Sequence, residues 1–222
     1  MADLAIIIPV LQRPQNAAKV YASVLAATPD AEILFVCSPG DRTEIEAVKA
    51  TGANFIVTER RILRGDYPAK INLGYKMTTA PWIFTGADDL AFHPGWFAHA
   101  LESALGGAKV IGTNDLGNPR VLAGEHATHF LVARDYADDP GGAWGMPGTI
   151  LCPYYWHERC DDELREVAQV RGVYTHAANS IVEHLHPNWG KAPTDSVYKT
   201  NQAARFKAGR ELYARRSRLW AS

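Results

Sequence analysis

The sequence predicts an α/β fold, with a mainly parallel central sheet flanked by helices. Two patterns carry this reading: short apolar runs alternate with helix-like segments up to residue 90, and Gly or Pro residues punctuate the junctions. The first run, Leu4 to Pro9, is apolar almost throughout, as in strands buried on both faces. Such alternation implies right-handed crossovers and parallel pairing.

After the Leu4 to Pro9 strand, Pro14 suits the first turn of a helix running to Ala27. Glu32 to Cys37 reads as the second strand. Asp41 with Glu44 resembles a capping box, and the helix it opens closes at Gly52. Asn54 to Thr58 is a third strand, Ala69 to Thr78 a helix, and Trp82 to Thr85 a fourth strand. Pro94 starts another helix, which ends at Gly106-Gly107. Lys109 to Gly112 and His129 to Ala133 look like strands. Asp138 to Gly148 is a Gly- and Pro-containing loop with a lone Trp144. Leu164, Val167, Ala168 and Arg171 follow a helical period from Cys160, and Gly172 ends that helix. Ser180 to His184 is a final strand, followed by a loop over Pro187 to Lys191. No repeat, low-complexity tract or linker divides the chain. Residues 1–200 read as one domain, with a regular half over 1–90 and a less regular half over 91–200. A basic C-terminal helix follows over 201–222.

The 222 residues suffice to bury a core without disulfides or structural metal. A net charge of −1 advertises neither nucleic acid nor acidic membrane as a partner in bulk. The three cysteines, Cys37, Cys152 and Cys160, form no CxxC pair, which suits reduced thiols in a cytoplasmic protein. Cys152, His157 and Cys160 match no standard zinc spacing, and no fourth ligand is evident. No apolar run approaches the length of a membrane span, so none is expected.

The most informative segment is Trp82-Ile83-Phe84-Thr85-Gly86-Ala87-Asp88-Asp89, a buried strand running into two adjacent carboxylates. Paired carboxylates repel and cost desolvation, so fold stability alone rarely favours them. A divalent cation shared with a phosphate-bearing ligand would relieve both costs. The competing reading has Asp89 capping a turn and Asp88 merely solvated. In open α/β sheets ligands bind beyond the carboxyl ends of the strands. Pro9 to Arg13, Cys37 to Asp41 and Gly86 to Asp89 all land there, which argues for one nucleotide-sized site. No GxGxxG follows a strand, and Gly190-Lys191 continues with Ala192 rather than Ser or Thr. Phosphate must therefore be held by metal and basic side chains.

Taken together, the motifs resemble a compact family 2 glycosyltransferase with the GT-A nucleotide-diphospho-sugar transferase fold. Ile8-Pro9-Val10-Leu11-Gln12-Arg13 resembles the family's opening strand and turn. Lys70-Ile71-Asn72-Leu73-Gly74 is similar to its Arg-Asn-x-Gly helix, Phe84 to Asp89 to its Asp-x-Asp-Asp segment, Asp161 to Leu164 to its Asp-x-x-Leu helix start, and Val182-Glu183-His184 to its late metal-binding strand. Two positions depart from the pattern: Gly86 replaces the first acidic residue, and Cys37-Ser38 replaces the acidic residues that contact the base. The compact form, with its His-x-His-Pro ending, is also similar to glycosyltransferases encoded by bacteriophages.

The resemblance implies a nucleoside-diphosphate sugar donor, a UDP-sugar by default, and Mn2+ or Mg2+ as cofactor. Asp88 is the expected metal ligand, with Asp89 as second ligand or sugar-hydroxyl acceptor. His184 and His186 lie two apart and would share a face on a continuous strand, where imidazole can complete a carboxylate site. The resemblance selects Asp161 as the general base, with Asp162 as the alternative. Carboxylates at a helix start also cap free amides, which is the bland reading of both. Pro9, Val10, Leu11 and Asn72 are expected at the nucleotide. Arg13 and Lys70 are expected at the diphosphate, and Lys191 in a closing loop over the phosphates. Trp144 and Trp189 are candidate sugar platforms, though lone tryptophans more often anchor packing. A sugar-1-phosphate nucleotidyltransferase is the second enzymatic reading, disfavoured because Pro9 to Pro14 holds no glycine. A binding module without chemistry is the third, kept open by Gly86 and Cys37. The acceptor is a modified DNA, a phage or bacterial protein, or a glycan. The DNA reading rests on the tail, where Arg205, Lys207, Arg210, Arg215, Arg216 and Arg218 face a single acid, Glu211. The simpler expectation is an amphipathic helix packed on the domain.

Overall fold

The computed structural model describes residues 2–59, 66–199 and 202–221. Its first half follows the predicted alternation closely: β1 (Leu4–Pro9), α1 (Pro14–Ala27), β2 (Glu32–Cys37), α2 (Arg42–Thr51), β3 (Asn54–Val57), α3 (Tyr67–Met77) and β4 (Trp82–Thr85). The second half holds β5 (Leu90–Phe92), α4 (Trp96–Ala104), β6 (Val110–Asn114), α5 (Pro119–Leu122), β7 (Phe130–Ala133), α6 (Arg134–Asp138), α7 (Cys160–Val170), β8 (Tyr174–His184), α8 (Ser196–Lys199) and α9 (Gln202–Arg216).

The strands form one sheet in the order β3-β2-β1-β4-β7-β6-β8-β5. Pairing is parallel from β3 through β4, as expected. Beyond β4 the sheet becomes mixed: β7 runs antiparallel to both β4 and β6, and β5 antiparallel to β8. Parallel pairing returns between β6 and β8, so it is continuous in the first half of the chain and interrupted in the second.

Side chains alternate between two cores, as the strand period demands. Ile6, Ile8 and Phe84 pack under α1 and α4 with Val20, Val24 and Trp96, whereas Ile7 and Ile83 face α3 and α7 with Ile71 and Leu164. Gly74 permits the closest of these approaches, because a Cβ there would sit 2.4 Å from Ile7 Cγ2. The glycine of the Lys70 to Gly74 motif is thus a packing requirement between α3 and β1.

Strand β8 is longer than its sequence suggests. It pairs with β6 over Tyr174–Ala177, passes an irregularity opposite Thr113 and Asn114, and then pairs with β5 over Val182–His184. The register jumps there from Ala177 to Ile181, and the polar Asn179-Ser180 pair within the jump interrupts the apolar run that would mark a continuous strand. Its last register, Leu90 opposite His184, brings His184 beside Asp89.

The capping box at Asp41 and Glu44 does not form, and neither side chain caps α2. Helix α4 starts at Trp96 rather than Pro94, with Gly95 at φ 81 as its left-handed N-cap. Pro187–Trp189, expected as loop, forms a turn of 3-10 helix. The tail is helical as expected, and Leu212 and Tyr213 pack on the α3–α7 core. Among the described residues no helix is long and apolar enough to cross a membrane.

Candidate active site

The loop after β1 is held in the site by α2. Gln12 adopts a left-handed φ of 55, an uncommon conformation for a side chain with a Cβ. Its amide donates to Asp41 Oδ2 at 2.8 Å, and the Arg13 amide donates to Glu44 Oε2 at 2.6 Å. The two acids that sequence reading assigned to a cap therefore hold the loop that aims Arg13. The Arg13 guanidinium lies 3.2 Å from Asp88 Oδ1, 3.1 Å from Asp89 Oδ2 and 2.9 Å from Asp195 Oδ2.

Helix α3 supports this loop from below. Lys70 is buried, and its ammonium donates to Val10 O and Ser38 Oγ, both at 2.8 Å, with Asp66 at 3.2 Å. Its three protons are directed at the scaffold, although Lys70 also borders the cavity at the strand ends. Asn72 is further away: it donates to Leu151 O and accepts from the Ile150 and Leu151 amides, tying α3 to the 150–151 segment. The motif's polar residues are scaffold, and their donors are consumed there.

Asp88 and Asp89 stand together at the end of β4 with only 8% and 11% of their side chains exposed. Burial and the neighbouring Asp89 push the Asp88 carboxyl up to about 7, against the pull of Arg13. Burial works against ionised Asp89 as well, but His184, Arg13 and the Tyr198 hydroxyl outweigh it and hold Asp89 well below the usual range. At neutral pH Asp89 is ionised while Asp88 is only about half so. His184 Nε2 lies 3.4 Å from Asp89 Oδ1, so its carboxylate neighbour is Asp89 rather than the expected Asp88. His186 stacks edge-on to His184 at 4.9 Å, and burial lowers it to about 4, leaving a neutral imidazole. His129 is also buried and neutral, with Nδ1 2.8 Å from Thr85 O and Nε2 without a hydrogen-bond partner.

These carboxylate oxygens and neutral ring nitrogens suit a divalent cation such as Mn2+. Among the described residues, however, no three His, Cys, Asp or Glu side chains are gathered tightly enough to hold one. The Arg13 guanidinium bridges the carboxylates instead. Asp89, Asp88, His184 and His186 are the residues that would hold a metal, and Arg13 would have to release the carboxylates to admit it.

Gly86 explains the missing first acid. Its amide donates to Ile7 O at 2.9 Å, and a Cβ at this position would lie 2.7 Å from that same backbone oxygen. The backbone here leaves no room for an aspartate.

Asp161 enters from the start of α7. Its Oδ2 lies 3.4 Å from His126 Nε2, and its Oδ1 accepts from the Asp162 amide at 2.9 Å. Burial favours the protonated form, but His126, the Asp162 amide and His157 outweigh it and hold Asp161 ionised, below the usual carboxylate range. Asp162 is placed differently. It pairs with Arg159 at 2.9 Å and lies 3.6 Å from the other ring nitrogen of His126, and it does not line the cavity that Asp161 borders.

Both groups line one cavity of about 310 Å³ at the carboxyl ends of the strands. That volume falls at the lower end for small-molecule sites. Pro9, Val10, Leu11, Arg13, Asp88, Asp89, His184, His186 and Trp189 all contribute to its wall, as expected. Lys191 does not, because its ammonium binds Glu183 at 2.7 Å and Leu116 O at 2.9 Å. Trp144 lies elsewhere, stacked under Arg171 at 5.2 Å. Residues at the site without a sequence signal include His126, Glu158, Asp195 and Tyr198, while His157 and Arg205, considered above for zinc and for DNA, line the cavity instead. Tyr198 donates to Asp89, and its ring lies 4.0 Å under the Arg13 guanidinium, so the 195–198 segment covers the carboxylate pair.

The model of glycosyl transferase family 2 matches residues 5–163, most of the chain. The chain belongs to that family. This glycosyltransferase shares its fold with the mannosyltransferase PcManGT from Pyrobaculum calidifontis, at a TM-score of 0.71 and 11% identity over 96% of this chain and 64% of that one. It thus spans somewhat less than two thirds of the mannosyltransferase's length. Glucosyl-3-phosphoglycerate synthase from Mycobacterium tuberculosis gives a TM-score of 0.65 at 14% identity, over 97% of this chain and 80% of that one. TarS from S. aureus, residues 1–349, gives 0.59 at 12% identity over 82% and 59%. No curated protein matches the sequence. The mixed sheet with flanking helices is the GT-A architecture that the motifs implied.

Proposed function

We propose that this glycosyltransferase moves a sugar from a nucleoside-diphosphate sugar to an acceptor hydroxyl, with inversion at the anomeric carbon. One observation carries the reading: a single cavity joins the Asp88–Asp89–His184 group to a separate carboxylate, Asp161, held ionised by His126. The first group suits a departing diphosphate and the second an incoming hydroxyl. The structural neighbours support the donor class, since PcManGT was solved with GDP-Man and Mn2+ and the mycobacterial synthase with Mn2+ and UDP.

In the proposed reaction Asp161 accepts the hydroxyl proton as the acceptor oxygen bonds to the anomeric carbon. The bond from that carbon to the phosphate oxygen breaks, and the nucleoside diphosphate leaves. His126 positions Asp161 and favours its charged form, so the base is ready without a proton to lose. Mn2+ or Mg2+ held by Asp89, Asp88, His184 and His186 would supply charge neutralisation at the diphosphate. Arg13, freed from Asp88 and Asp89, is the cation nearest to the same phosphates. The 195–198 segment must shift to admit them, because Asp195 and Tyr198 occupy the same partners.

Calorimetric titration of UDP- and GDP-sugars, with and without Mn2+, tests the reading. Metal-dependent binding of either donor is expected. No binding of either in the presence of Mn2+ would overturn it.

A further inference from the structure

One cation in the cavity wall is not used by the proposed chemistry. Arg13 and Lys70 are both engaged by carboxylates. Arg205, on α9, reaches the same wall, and its Nε is buried with no hydrogen-bond partner among the described residues. No hydrogen bond or salt bridge among the described residues neutralises the guanidinium, so its charge at the cavity wall is available to an incoming anion.

The placement of Arg205 is built into α9. Gly209 lies against the backbone of Glu158, where a Cβ would sit 2.7 Å from Glu158 O. This close approach seats the helix on the segment leading into Asp161. Arg205 lies one turn before Gly209 and so shares its face. It reaches the cavity among His157, Glu158 and Asp161, while Phe206 adds apolar surface at the rim. The same neighbourhood raises Glu158 to about 7, through burial and the charge of Asp161 against the pull of Arg205. The diphosphate end has its own cation in Arg13, so Arg205 serves the acid-rich end where the acceptor hydroxyl enters.

We propose that Arg205 is an acceptor-recognition residue that binds an anionic group, phosphate or carboxylate, carried by the acceptor near the reacting hydroxyl. This rests on the assignment of Asp161 as the base of the proposed transfer. It makes the acceptor an acidic hydroxy compound rather than a neutral sugar or alcohol. The guanidinium fork matches either oxyanion with two parallel hydrogen bonds, which an ammonium cannot do.

The test follows the Arg205 Nε–H resonance of the full chain, identified by its loss in Arg205→Gln. Inorganic phosphate and acetate are titrated at constant ionic strength, with nucleoside diphosphate and Mn2+ in excess so that the donor end is filled. A saturable shift is expected with at least one anion and none with glycerol; which anion acts separates phosphate from carboxylate. Calorimetric titration of the same anions, which needs no Arg205 signal, should show binding about tenfold or more weaker in Arg205→Gln, the loss of one charged hydrogen bond, with Arg205→Lys intermediate. In a second arm, glycerol, glycerate and glycerol 3-phosphate are offered with the donor; transfer to at least one of the two anionic compounds over glycerol is expected, with that preference lost in Arg205→Gln, and equal use of glycerol overturns the proposal. No saturable shift, or anion affinity unaltered in Arg205→Gln, overturns the proposal. Failure of nucleoside diphosphate to bind would instead count against the transfer reading, and the Arg205 resonance would still report on the anion.

Discussion

Replacing Asp88 with Asn should make the metal-free protein more stable at pH 8 while abolishing metal-dependent donor binding. Asp88 is buried beside Asp89, and its carboxyl is raised from 3.8 to about 7 even after the attraction of Arg13. The native state therefore holds a proton on Asp88 between about pH 4 and pH 7 that the unfolded chain has released. Stability falls as pH rises through that window, because the native state binds more protons there. The full shift corresponds to about 4 kcal/mol, and relaxation around the charge reduces it to about 2–4 kcal/mol. Asn keeps the shape without the charge, so that penalty disappears. For a chain of this size, the melting temperature should rise about 4–10 °C at pH 8 in EDTA. At pH 4 both proteins hold a neutral group at this position and should melt nearly together. Thermal melts across pH 4–8, with calorimetry of nucleoside diphosphate and Mn2+, give both readouts. An Asp88→Asn variant that melts below the parent at pH 8, or by an amount independent of pH, would refute the reasoning. A site that costs stability is what a functional carboxylate pair should look like.

Asp161→Asn should cut turnover about 10²- to 10⁴-fold with donor affinity nearly unchanged, as removal of a general base predicts, and steady-state kinetics with donor titration checks both. Tyr198→Phe removes the hydroxyl that occupies Asp89 and keeps the ring under Arg13, so nucleoside diphosphate should bind about tenfold tighter. Weaker binding there would instead make Tyr198 a donor contact. Arg216→Met should destabilise by about 3–5 kcal/mol in denaturant unfolding, because Glu163 is fully buried and binds Arg216 at 2.6 and 2.7 Å. Reversal of the exposed Arg215 and Arg218 should change stability by no more than about 0.5 kcal/mol.

That contrast within the tail marks where sequence reasoning stops. Its six basic residues look alike in composition, yet Arg216 closes a buried ion pair, Arg205 enters the cavity, and Arg215 and Arg218 face solvent. Composition counts charges, whereas burial and partner depend on where the helix docks, and Gly209 against Glu158 decides that. The first four strands were legible because parallel strands buried on both faces leave continuous apolar runs, from Leu4–Pro9 to Trp82–Thr85. The Asp88–Asp89 pair was legible because two carboxylates at a strand end have no stabilising role of their own.

Local pattern therefore determined the elements of the first half and the carboxylate pair, and the family resemblance selected Asp161 as a candidate base. Partnership was decided by tertiary structure alone. His184 meets Asp89 because β8 pairs with β5, which follows directly on the carboxylates, and Asp161 meets His126 because the segment after α5 and the start of α7 come together from residues far apart in the chain. Lys70 and Asn72 carry the family-like motif, but their hydrogen bonds close the scaffold, a distinction visible only when every donor is traced to its acceptor. A residue's type is written in the sequence, but its hydrogen-bond partners and its desolvation are properties of the packed chain, and these set the charge on Asp88, Asp89 and Asp161.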